Sequence, residues 1–198
     1  MASTIEIISA PLSYLKIKQP QKKRFDYVLP LILSVSISVA IIIFDLTFKD
    51  IELFSEKGIV SIINGLTQIL PGFYLTSMAA VATFPNKDMD NIMYGIPPKI
   101  NGNELTRREF LIRLFGYLCF VCIILYLYGS LSIYFYDFFS FNIIYSKLMK
   151  FLFCLIYFYI LFNMLLTSSL GLYFLIVKIN KDLPKLEINS LTRKNKRK

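Results

Sequence analysis

Few side chains in this 198-residue sequence can carry acid–base or metal chemistry. There is no His and no Trp, so imidazole bases, Ser-His-Asp triads and His-containing metal sites are excluded. The three Cys are an odd set, which builds no disulfide framework. Cys119-Phe120-Val121-Cys122 has CxxC spacing, but no second pair or His completes a zinc set, and apolar packing on one helical face accounts for it. Asn86-Lys87-Asp88-Met89-Asp90 has the first half of a calcium loop; Asn91 then stands where the Gly must be and Pro97 where the bidentate Glu must be. Neither a phosphate-cradling Gly-rich loop nor a nucleophile-elbow Ser is present. No catalytic residue, metal or cofactor is expected.

The remaining polar chemistry is of two kinds. The first is uncharged. Asn64, Gln68, Gly72 and Thr76 recur every four residues, and Ala79 and Thr83 extend the series. On a helix these six share an arc of about 120°, interrupted by Leu75. Pro71-Gly72 marks a hinge, where the helix is expected to kink or unwind. Tyr159, Asn163, Thr167 and Gly171 make a weaker series, and Ser34 and Ser38 a third. Such spacing serves close helix packing. It serves equally to line a hydrated pore with Asn64, Gln68, Gly72, Thr76, Asn163 and Thr167.

The second kind is basic: Lys22-Lys23-Arg24, then Arg107, Arg108 and Arg113, then Arg193, Lys194, Lys196, Arg197 and Lys198 at the end. Clustered cations bind lipid headgroups or a soluble polyanion such as single-stranded DNA or a nucleotide.

The elements that position these groups are membrane helices. Apolar residues make up 56% and charged residues 18%, too apolar for a soluble chain of this size. Four runs reach the roughly 20 residues a span needs: 28–48, 59–84, 110–136 and 148–177. The N-terminal segment holds Glu6, Pro11 and Pro20, and its basic cluster abuts the first run, so it reads as the flank of a retained helix and not as a cleaved leader. Of the 22 Lys and Arg, 18 fall in 1–27, 85–113 and 178–198, and four in the two other connections. That bias predicts an all-α integral membrane protein of four transmembrane helices with both termini cytoplasmic, in a bacterial inner membrane. The plan is a cytoplasmic segment 1–27, a four-helix domain 28–177 with a cytoplasmic loop 85–109, and a basic tail 178–198. No cytoplasmic piece is long enough for a catalytic domain. No carboxylate or Lys sits mid-span, which speaks against a coupled transporter.

The middle loop carries structure signals. Gly95-Ile96-Pro97-Pro98 and Asn101-Gly102 read as turns. Thr106-Arg107-Arg108-Glu109 fits a capping box that starts the third helix. In this plan the chain resembles the small four-helix membrane effectors of bacterial anti-phage defence, and among them the channel subunit of Hailong systems. The resemblance lies on Gly95-Ile96-Pro97-Pro98 and on Thr106-Arg107-Arg108-Glu109-Phe110-Leu111 running into the third span, beside the basic tail. It implies a homo-oligomeric ion channel, taken as a tetramer, and a partner nucleotidyltransferase. Single-stranded DNA from that enzyme would hold the channel shut, and its loss would depolarise the host in abortive infection. A non-catalytic membrane anchor that recruits a cytosolic partner is the alternative, and a holin-like lesion former a third.

Overall fold

The computed structural model describes residues 3–19, 22–47, 53–55, 57–93, 97–135 and 143–178. Gly95, Ile96 and the tail residues Arg193, Lys194, Lys196, Arg197 and Lys198 lie outside the described residues. A short helix α1 (Thr4–Ser9) runs into a 3-10 segment, Ala10–Lys16. Four long helices follow: α2 (Leu29–Thr47), α3 (Ile59–Thr83), α4 (Arg107–Phe135) and α5 (Ile143–Tyr173). A π-helical turn, Arg24–Val28, leads into α2, and another, Phe174–Lys178, leaves α5. Four stretches are long and apolar enough to cross a bilayer: Arg24–Thr47, Ile59–Thr83, Arg107–Phe135 and Lys147–Ile176. The chain is thus all-α in its long elements and has the helices of a multi-pass membrane protein.

The helices pack with α4 at the centre. It lies against α3 on one side and α5 on another, and α2 packs on α5. The core comes from Phe110, Leu111, Leu114, Leu118, Cys122 and Leu125 of α4 with Cys154, Tyr157 and Met164 of α5. Large apolar side chains also point outward, among them Ile43, Ile62, Ile69, Phe73 and Leu131. In water such a surface aggregates; against hydrocarbon it is the expected exterior.

Local signals explain the boundaries. Thr106 and Glu109 form the capping box: the Glu109 amide donates to Thr106 Oγ1 at 3.2 Å, and the Thr106 amide donates to Glu109 Oε2 at 3.1 Å. Asn101 and Gly102 take positive φ, 51° and 90°, and turn a two-residue hairpin of β1 (Lys99–Ile100) and β2 (Asn103–Glu104). Asn86 caps a 3-10 turn, Lys87–Asp90, by accepting from the Asp88 amide at 2.9 Å. α3 continues unbroken through Pro71, so the expected unwinding does not occur. The proline still removes one rung of the ladder, since it has no N–H to donate to Thr67.

The short elements form one cap. Lys18 pairs with Lys99 through hydrogen bonds of 2.8 and 3.2 Å, and Ile92 bridges to Thr106. Tyr14 is buried beneath, its ring 5.0 Å from Tyr117 and 6.2 Å from Phe110. Phe174 packs on Phe110 at 4.8 Å. Both described ends of the chain and the 87–106 segment therefore gather at the end of the bundle where α4 starts.

Candidate functional site

α3 presents three faces. One, with Val60, Asn64, Thr67 and Val81, is buried against the chain. A second, with Ile62, Leu66, Ile69 and Phe73, is exposed and apolar. The third carries Gln68, Gly72, Thr76, Ala79 and Thr83, all exposed. Ser61 and Gly65 belong to the same face by helical angle; a search for four-residue spacing from Asn64 passes over them. α3 is the least apolar of the four spans and the least covered by its own chain. The Thr76 and Thr83 hydroxyls donate to their own helix, to Gly72 O at 2.8 Å and Ala79 O at 2.9 Å. The Gln68 carboxamide makes no hydrogen bond among the described residues. In hydrocarbon an amide so placed costs about 4–8 kcal/mol, so this face is suited to water or to another polar helix.

The expected pore set divides. Gln68, Gly72 and Thr76 lie on the exposed face. Asn64, Asn163 and Thr167 are buried inside the chain. Asn64 donates to Ser130 Oγ at 3.3 Å and accepts from Tyr157 Oη at 3.4 Å. Gly129 makes room for it: a Cβ there would lie 3.0 Å from Asn64 Cγ. Asn163 accepts from Tyr117 Oη and donates to the Asp26 carbonyl, both at 2.7 Å. All three are covered by their own chain. Periodicity groups residues by angle; it does not say which sector meets a neighbour.

The expected ligand cations divide as well. Lys23 and Arg24 are exposed and Arg113 is half-buried. Arg107 is buried at the first turn of α4. Lys22 is 5% exposed. Its ammonium donates to the carbonyls of Tyr14 and Ile17, sits 4.0 Å from the Tyr14 ring centre and lies 3.8 Å from Asp26 Oδ2. Burial pushes its pKa down to about 8 although Asp26 opposes the shift. Burial also raises the Tyr14 hydroxyl, which donates to Asp26 Oδ1 at 3.3 Å. Lys22 thus fastens the N-terminal segment to the bundle.

Arg108 is similarly committed. It donates to Val81 O at 2.8 Å, Ala82 O at 2.9 Å and Phe84 O at 3.0 Å, the open carbonyls at the end of α3. It also holds Asp90 through Nε at 2.7 Å and Nη2 at 3.2 Å. Those hydrogen bonds keep the Asp90 carboxyl below its ordinary pKa. Lys16, Lys18 and Lys99 at this end are exposed, Lys99 paired with Glu104 at 3.0 Å.

Two further groups escaped the sequence. Asp26, fully buried, accepts from the cap at the start of the first span. Asp45 and Lys150, 105 residues apart, form a buried ion pair of 2.7 Å at the opposite end of the bundle. Among the described residues no cluster of three or more His, Cys, Asp or Glu is placed to hold a metal ion. The Cys side chains are buried, with Cys122 Sγ 3.0 Å from Met164 Sδ.

Comparison with protein-family models, curated proteins and solved structures finds no match to this chain. Its class therefore rests on the four spans: a small multi-pass α-helical membrane protein.

Proposed function

We propose that the protein is the subunit of a homo-oligomeric ion channel in a bacterial inner membrane, with both termini and the 85–109 loop in the cytoplasm. The observation that carries this reading is the exposed polar face of α3, where Gln68, Gly72 and Thr76 stand uncovered by their own chain. A ring of copies around a closed symmetry axis, taken as a tetramer, brings these faces together around water. The positive bias supports this sidedness: 1–27, 85–113 and 178–198 hold 18 of the 22 Lys and Arg.

The gating ligand is a cytoplasmic anion, a single-stranded DNA oligomer in the Hailong-type reading, made by a partner nucleotidyltransferase. In this anti-phage role its loss opens the channel and depolarises the host. Lys23, Arg24 and Arg113, with the basic tail, are the cations available to it; Lys22, Arg107 and Arg108 act through the cap they build. Planar-bilayer recording with single-stranded oligonucleotide added at the tail-bearing face tests both parts. Wild-type protein conducts and the oligonucleotide suppresses the current, while Gln68→Leu expresses normally and conducts nothing. A Gln68→Leu current equal to wild type refutes the pore face.

The burial of Asn64, Asn163 and Thr167 favours a second reading, a non-conducting membrane anchor for a cytosolic partner. A silent wild-type bilayer and a stoichiometric soluble partner on purification distinguish it.

A further inference from the structure

The two halves of α3 are held differently. Before Pro71, Val60, Asn64 and Thr67 are buried in the bundle, and Asn64 is bonded to α4 and α5. At Pro71 a rung of the helix ladder is missing, and Gly72 follows, with open space where a Cβ would stand. Tyr74, close to this point, bonds Ser168 at 2.6 Å. Beyond it only Val81 is buried. This half instead borders an apolar groove of about 300 Å³, open at the surface: Ser77, Ala80 and Phe84 line one wall, Phe115 and Leu175 the other. Side chains beside an unfilled groove lack partner atoms on that side, so this helix segment has room to move. Its end is tied by the Arg108 guanidinium, which grips three α3 carbonyls and is itself gripped by Asp90.

We infer that residues 72–83 form a swinging segment, pivoting at Pro71-Gly72 into the groove, with the Arg108–Asp90 pair as its latch. The latch is accessible: the Asp90 side chain is 60% exposed, on the 3-10 turn of the cap. An anion that reaches Arg108 does so by displacing Asp90, and so loosens the end of α3. Gly72 and Thr76 lie on the moving half and Gln68 on the fixed half, so the motion changes the width of the proposed pore. That consequence rests on the channel reading; the motion does not.

Amide hydrogen exchange on the full chain in lipid nanodiscs tests the motion without any current. Asp90→Asn, a mild change at an exposed carboxylate, is expected to speed exchange at residues 76–84 by about tenfold and leave 60–70 unchanged. Ser77→Leu places a larger side chain in the groove and in the double variant returns exchange toward wild type. Unchanged rates at 76–84, an equal rise in both halves or a failed rescue would each refute the pivot. In bilayers, a conducting wild type should show an altered open fraction with Asp90→Asn. A silent wild type sinks the channel reading, while the exchange data still decide the latch.

Discussion

Gly129→Ala separates the two meanings of the polar residues on α3. An added Cβ would lie 3.0 Å from Asn64 Cγ and Nδ2 and closer still to Oδ1, so the Asn64 side chain must leave its site. It then loses the hydrogen bonds to Ser130 and Tyr157. Interhelical hydrogen bonds in membranes average about 0.6 kcal/mol each, so the pair is worth about 1.2 kcal/mol. Crowding in a packed interface adds about 1–3 kcal/mol. Replacing Gly by Ala in a helix returns about 1 kcal/mol. The net expectation is a loss of about 1–3 kcal/mol. With Asn64→Ala already in place there is nothing to displace, and Gly129→Ala should be neutral or stabilising. A double-mutant cycle measured by equilibrium unfolding in bicelles should therefore show coupling of about 2 kcal/mol. Equal cost of Gly129→Ala in both backgrounds would mean that Asn64 does not occupy this site, and the division between buried and exposed polar residues on α3 would fall with it.

Other outcomes follow from the ionisable groups. Lys22 titrates near pH 8 when docked and at 10.5 when free, so the docked state binds fewer protons between those values. Docking of the N-terminal segment should strengthen as pH rises from 8 to 9.5. A single Trp at exposed Leu15, in a chain that has no other, reports it during denaturant titration; weakening with rising pH would show that the contacts of the ammonium outweigh its burial, against the expected direction. Lys150→Met alone removes the cation paired with buried Asp45 and should cost about 3–5 kcal/mol, whereas Asp45→Leu with Lys150→Met should be close to neutral. A double variant as unstable as the single one would show that the ion pair is needed for more than mutual neutralisation.

Much of the fold was legible because the solvent is severe. A bilayer demands about 20 apolar residues per crossing, so the four spans stand out from composition alone. Thr106 and Glu109, like Asn101-Gly102, act within a few residues of sequence, so their cap and turn were also readable. Arg108 was legible only as a cation; the carbonyls it clamps lie 24–27 residues away. Of the kink or unwinding expected at Pro71-Gly72, the unwinding is absent, because losing one rung does not break a 25-residue helix.

What the amino-acid order determines here is local and periodic: which segments are long and apolar enough to cross, where a helix begins, which residues share an angle. Tertiary structure alone decides what each angle meets. It turns Asn64 inward onto Gly129 and leaves Gln68, one turn away, exposed. It closes Asp45 on Lys150 across the length of the chain and gives Lys22 and Arg108 to the cap. The reason is geometric. A side chain's type fixes what it can bond to, but a partner many residues away is set by how the helices pack.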